Sequence, residues 1–262
     1  MNKFMDFLKK FRKDDEFDIK KYIYQSYKNK KKIPIIFYFE ELPICEKVKV
    51  KEILENEKTI LLEPEKKLLR ALGEVKDIFF KVQHGNKTLF FKSNVIYGNE
   101  EGIEIEFPKP LMGDKIVRLY LRVRPKWNEP ILVDIFPKED ENEKNEKESK
   151  NKVCLKGKAL DISETGIGVF VPLKEEIEKD LDKKNFYENL KEEKIVKLKI
   201  YLPKMEPVEA TGEIVRCKEE KKGKVLGISF LDLDIENCEK IFKYIFKRQK
   251  EILKYLTSEE EF

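Results

Sequence analysis

From residue 34 onward the chain breaks into short runs, too brief for ordinary helices and separated by turn residues, and this punctuation constrains the fold most. Ile35-Ile36-Phe37-Tyr38-Phe39 is a continuous apolar and aromatic run, whereas Val48-Lys49-Val50-Lys51 alternates with period two, as a half-buried strand does. Further strand-like runs follow at Thr59–Leu62, Val75–Val82, Lys87–Phe91 and Ile103–Phe107. Gly73, His84-Gly85-Asn86 and Gly98-Asn99 supply the turns. Together they predict a small antiparallel β domain that ends near Pro108-Lys109-Pro110.

The same texture resumes beyond that joint. Strands are expected over 116–124, at Pro130–Phe136, at Val153–Leu160 and at Ile167–Val171, with a turn at Asp161-Ile162-Ser163-Glu164-Thr165-Gly166. Residues 138–152 contain no apolar side chain, so they read as a solvated loop. Leu173–Glu193, with Ile177, Leu181 and Leu190, reads as a helical insertion. Strands follow at Ile195–Leu202, Val208–Cys217 and Val225–Leu233, the last two joined by a hairpin turn at Glu219–Gly223. A helix from about Ile235 to Leu256 closes the chain, with Ile241, Ile245 and Leu253 on its apolar face.

Helical spacing also marks the start: Phe4, Phe7, Leu8 and Phe11, then Ile19, Tyr22, Ile23 and Tyr27. Such faces dock on the chain's own body or, in the other reading, on a membrane surface or partner. The expected fold is therefore mainly β: two antiparallel β domains in tandem, with N-terminal and C-terminal helices. Its divisions are a helical segment 1–33, a β domain 34–110 and a second β domain with its helix at 111–257.

Charge and cysteine usage narrow the function. Fifty-five Lys and Arg against 51 Asp and Glu leave a net charge of +4, which argues against general nucleic-acid binding. Cys45, Cys154, Cys217 and Cys238 lack C-x-x-C spacing, and His84 is the single histidine, so neither a zinc framework nor a disulfide scaffold is indicated. The cysteines read as small buried hydrophobes in a reducing, cytoplasmic setting. No apolar run approaches the roughly 18 residues of a membrane span.

The candidate site begins with arginine. Lysine carries almost every positive charge; arginine occurs only at 12, 70, 118, 122, 124, 216 and 248. Three of these crowd into Val117–Arg124, where a planar fork able to pair bidentately with phosphate or a guanine edge is concentrated. Arg118 and Arg122, four apart on a strand, would share one face about 13 Å apart. In the turn, Asp161 offers an acceptor, Ser163 a small hydroxyl and Gly166 room for tight backbone. Taken alone, each motif reads first as an ordinary polar turn or a cross-sheet ion pair.

Taken together, R-x-x-x-R at Arg118 to Arg122 and D-x-S-x-x-G at Asp161, Ser163 and Gly166, with Gly168 behind it, resemble the PilZ domain. Downstream, Ile200-Tyr201-Leu202-Pro203, Gly212-Glu213-Ile214-Val215-Arg216 and Leu226-Gly227-Ile228-Ser229-Phe230 follow the order of PilZ strands. The resemblance covers roughly residues 111–256. The domain before it is similar to the N-terminal module of YcgR-like flagellar brake proteins, a second barrel ahead of PilZ, so the resemblance implies two antiparallel β-barrel domains in tandem, the PilZ β-barrel at 111–257.

The resemblance implies a non-catalytic receptor for the bacterial second messenger cyclic di-GMP, without cofactor or metal. Arg118 and Arg122 would bind phosphate and guanine, Asp161 and Ser163 the guanine edge, and Gly166 would shape the loop; Arg124 and Gly168 are auxiliary candidates. Val117 stands where many relatives carry a further Arg, which leaves open whether one or two ligand molecules bind. The spacer from 123 to 160 is long. The ligand would act at the interdomain joint, switching domain orientation in signal transduction to control flagellar motility. The implied partner is a flagellar motor protein, with localisation at the flagellar basal body and peripheral membrane contact left open, as is monomer or homodimer. Two other readings stand beside this one: a degenerate PilZ interaction module, and a cyclic dinucleotide phosphodiesterase using Asp161 and Ser163.

Overall fold

The computed structural model describes residues 18–54, 58–84, 87–110, 121–138 and 153–258. The expected helix at Phe4–Phe11, the loop 139–152 and most of the arginine strand, including Arg118, lie outside them. The chain divides into two compact units: Met1–Phe39 with Pro43–Arg118 and Leu256–Phe262, and Glu40–Leu42 with Leu119–Tyr255.

In the first unit, α1 (Ile19–Lys28) starts at Asp18, whose carboxylate accepts from the Lys20 and Lys21 N–H groups at 2.9 and 3.2 Å. Its buried face is Ile19, Ile23 and Ser26, so Tyr27, expected on that face, is exposed. The strands are β1 (Ile33–Phe39), β2 (Leu42–Val48), β3 (Val50–Leu54) and β4 (Thr59–Leu62). After a short α2 (Lys66–Ala71) come β5 (Asp77–His84), β6 (Lys87–Asn99), β7 (Gly102–Glu106) and β8 (Lys109–Pro110).

The run Val48–Lys51, expected as one strand, is divided at Lys49 between β2 and β3. Sheet order is β2-β1-β5-β6-β7-β4-β3, with β8 on β6. Strand β6 is long enough to pair first with β5 and then, past a bulge at Val95–Tyr97, with β7. Phe37, Phe80, Ile33, Ile35, Ile60, Leu62, Ile78, Ile103 and Ile105 fill its core.

The second unit contains β9 (Arg122–Val123), β10 (Leu132–Pro137), β11 (Leu155–Ser163) and β12 (Gly166–Pro172). Helices α3 (Glu175–Lys179) and α4 (Leu181–Glu188) precede β13 (Ile195–Tyr201), β14 (Val208–Glu220), β15 (Gly223–Asp232) and α5 (Ile235–Thr257). The order β10-β13-β14-β15-β12-β11 returns on itself because β10 also pairs with β11, so six antiparallel strands close a barrel. Val133, Ile135, Ala159, Ile162, Ile167, Val169, Val196, Leu198, Leu226 and Ile228 are buried, alternating with outward residues.

The architecture is mainly β with a helix near each end, as expected. Pairing closes the second unit's barrel; among the described residues of the first, no ladder joins the end strands β2 and β3.

Several local expectations are corrected. Asp161, Ile162 and Ser163 belong to β11, because Ser163 pairs directly with Gly166; the turn is Glu164-Thr165 alone. In the insertion Leu181 is 71% exposed, and Phe186 and Tyr187 are buried in its place. On α5 the buried face runs Ile241, Ile245, Arg248, Ile252 and Leu256, at spacings of four and three, which turns Leu253 outward. None of the cysteines is buried: Cys45 and Cys238 are exposed, Cys154 and Cys217 intermediate.

Candidate functional site

Strand β11 changes partner along its length. Its first half pairs with β10 through Leu155–Lys158. A register shift between Ala159 and Asp161 follows, and beyond it Ile162 and Ser163 pair with Val123 and Arg122 of β9. Val123 and Ile162, both fully buried, face the interior. Arg122, Asp161 and Ser163 therefore share the outer face at this rim of the barrel.

There the guanidinium of Arg122 donates from Nη1 to Asp161 Oδ1 at 3.3 Å. The side chains are 40% and 21% exposed, so both charges remain open to solvent. Ser163 is turned to internal use: it is 1% exposed, its Oγ donates to the Gly166 carbonyl at 3.2 Å, and Thr165 Oγ1 lies at 3.4 Å. It holds the two-residue loop shut.

The glycines differ in what they allow. A Cβ at Gly166 would lie 2.4 Å from the Ile228 carbonyl oxygen, so only glycine lets β12 approach β15 this closely. A Cβ at Gly168 would lie 2.9 Å from Asp161 Oδ2, so the bare backbone there is the space in which the carboxylate sits. Arg124 is engaged otherwise: its N–H donates to the Glu40 carbonyl at 3.0 Å, and its guanidinium lies 3.7 Å from Glu41.

The fold thus brings together Arg122, Asp161, Ser163, Gly166 and Gly168, and it ties Arg124 to the turn at 40–41. Arg118 lies outside the described residues. An exposed cation, a carboxylate beside it and a strip of bare backbone can hold a ligand with anionic, donor and flat surfaces at once.

Residues 130–247 match the PilZ domain family. This stretch is a PilZ domain. The match takes in the six-stranded barrel and most of α5. Asp161, Ser163, Gly166 and Gly168 lie inside the PilZ domain, and β9 with Arg122 lies just before it.

A curated relative, an uncharacterized protein of Aquifex aeolicus, is 26% identical over 237 residues, covering 88% of this chain and 93% of its own. Among solved structures, YcgR in complex with c-di-GMP from Escherichia coli is 10% identical with a TM-score of 0.34, over 90% of this chain and 91% of its own. The MrkH–c-di-GMP complex of K. pneumonia is 10% identical with a TM-score of 0.41, over 92% and 96%. The inhibitor of motility MotI of Bacillus subtilis is 13% identical with a TM-score of 0.34, over 84% and 97%.

Spacing in the sequence does not show how this row of residues continues across the barrel. Gly227 and Arg216 stand in register with Gly168 and Asp161, two and three strands from β11. The signal available was the scarcity of arginine, which marks Arg216 as surely as it marks Arg122.

Proposed function

We propose that this chain is a non-catalytic receptor for cyclic di-GMP, which binds on the outer face of the PilZ barrel. The observation that carries the reading is the convergence of Arg122, Asp161 and the Gly166–Gly168 backbone on one rim. In the proposed complex Arg118 and Arg122 hold phosphate and guanine. Asp161 accepts from the guanine Watson–Crick edge, and Ser163 keeps the loop in shape while Gly166 and Gly168 leave the approach open. Arg124 and Gly168 are supporting members.

Calorimetric titration of the full chain with cyclic di-GMP tests this directly. Binding is expected for the wild type, with severe weakening in both Arg118→Ala and Arg122→Ala; a flat wild-type isotherm overturns it in favour of a degenerate interaction module. The phosphodiesterase reading is separated by chromatography of the nucleotide after incubation, since a receptor returns it intact. No group of three or more His, Cys, Asp or Glu able to hold a metal occurs among the described residues.

The proposed output is a change in the orientation of the two domains, divided near residue 110, acting on a flagellar motor protein to restrain motility. Small-angle scattering with and without ligand, and swimming assays of a strain carrying Arg122→Ala, test these steps separately.

A further inference from the structure

We infer that Arg216 is a further ligand-contacting residue of this site, its guanidinium reading O6 and N7 of a guanine whose N1–H and N2–H meet Asp161. The inference rests on the receptor reading above and adds a second wall to the site.

The register places it. Asp161 pairs with Gly168, Gly168 with Gly227, and Gly227 with Arg216, in one row across β11, β12, β15 and β14. A register shift between Ile214 and Arg216 sets Arg216 opposite Gly227. Ile162, Ile167 and Ile228, which flank the first three members, are buried, and Arg216 is itself exposed, so the row lies on the outside of the barrel. At ~4.8 Å per strand the Asp161 and Arg216 backbones are about 14 Å apart, with Gly168 and Gly227 between them in the row and the exposed Val215 beside Gly227.

The two glycines leave the floor bare. At Gly168 a Cβ would lie 2.9 Å from Asp161 Oδ2, so the carboxylate would have to turn away from its present place. At Gly227 a Cβ would crowd Arg216 Cβ at 3.3 Å and touch Val215 Cγ2 at 3.8 Å, so the arginine would have to give way.

Arginine usage points the same way. Of the described arginines, Arg70 donates to Ser258, Arg122 to Asp161, Arg124 pairs with Glu41 and Arg248 with Glu40 and Glu251. Arg216 is exposed and has no ion pair or side-chain hydrogen bond among the described residues. In a chain that uses lysine for solvated charge, an unpartnered planar fork beside a bare floor fits a planar acceptor edge. Guanine laid over Gly168 and Gly227 offers N1–H and N2–H to Asp161 on one side, and O6 and N7 to Arg216 on the other. Adenine places an amino donor where O6 would be, so the pair of walls selects guanine.

Calorimetry on the full chain with cyclic di-GMP and cyclic di-AMP tests the inference, using wild type, Arg122→Ala, Arg216→Ala, Arg216→Lys and Gly227→Ala. Both Arg216 variants are expected to weaken cyclic di-GMP binding by about 10- to 100-fold and to narrow its advantage over cyclic di-AMP. Gly227→Ala should weaken binding; a folded Gly227→Ala with wild-type affinity overturns the bare floor between the two walls. A wild type that ignores cyclic di-GMP overturns the receptor reading itself. A wild type that binds and an Arg122→Ala that fails, beside an Arg216→Ala within twofold of wild type, overturn this inference alone. An Arg216→Lys equal to wild type also overturns it, because a point charge would then suffice.

Discussion

Separating Arg122 from Asp161 should leave stability nearly untouched while removing ligand affinity. The pair is a single Nη1–Oδ1 contact at 3.3 Å, without a second parallel bond, between side chains 40% and 21% exposed. Pairs of this kind contribute about 0.2–1 kcal/mol, because solvent screens the attraction and two long side chains lose freedom. With about 2–4 °C of melting temperature per kcal/mol at this domain size, Arg122→Ala or Asp161→Asn should shift the transition by about 4 °C or less.

Binding responds on another scale. Arg122→Ala removes charge-assisted hydrogen bonds of about 1.5–3 kcal/mol each, or roughly 10- to 150-fold in Kd. Asp161→Asn keeps the shape but turns an acceptor partly into a donor facing the donors of guanine, with a similar loss. A double-mutant cycle read by differential scanning fluorimetry and urea titration gives the stability coupling; calorimetry gives the binding loss. A stability coupling above about 2 kcal/mol would make the pair a structural tie. Wild-type affinity in both single variants would show that the ligand sits elsewhere.

Three further outcomes are expected. Gly166→Ala forces a Cβ to 2.4 Å from the Ile228 carbonyl, so the β12–β15 ladder must part, at about 1–3 kcal/mol; an unchanged urea midpoint would refute the steric account. Lys224, 6% exposed, donates to the Tyr187 and Glu188 carbonyls at 3.0 and 3.1 Å, so Lys224→Met should lower stability by about 1–3 kcal/mol in the same titration. Burial pushes the Tyr244 hydroxyl up to about 12 from 10.0, so as pH rises from 10 toward 12 the unfolded chain loses this proton first. Stability should then fall by up to about 2–3 kcal/mol, and melting curves at pH 9 and 11 should show a shallower fall in Tyr244→Phe.

What could be read from sequence divides along the range of the interactions. Thr59–Leu62 is a strand with the boundaries its pattern predicts, a short run of β-branched and aliphatic residues of which Thr59, Ile60 and Leu62 are buried, covering both faces. The Asp161–Gly166 stretch misled in its boundaries: Asp and Ser are turn formers when their side chains bond locally, but here Asp161 receives Arg122 from another strand. Neither the change of partner along β11 nor the row from Asp161 to Arg216 is visible in spacing, since each depends on pairing between distant segments. Leu253 and Leu181 look apolar enough to be buried, yet the rotation of each helix is set by what it packs on. The arginine excess was legible because it is a matter of chemistry rather than of contact.

Barrel closure also accounts for where the site sits. A closed barrel leaves few strand edges, yet β11 outruns β10: β10 pairs with Leu155–Lys158, while Ile162 and Ser163 need another neighbour. Strand β9 fills that place, so backbone pairing itself delivers Arg122 beside Asp161. The interior beneath is sealed by Val123, Ile162, Ile167 and Ile228, each at most 3% exposed. The chemistry therefore lies on a stable wall rather than within it, and outward side chains can change without loosening the core. Gly166 is the exception, because its missing side chain belongs to the ladder: altering it perturbs the wall itself, whereas changes at Arg122, Asp161 and Arg216 should leave the wall in place and act on the proposed site.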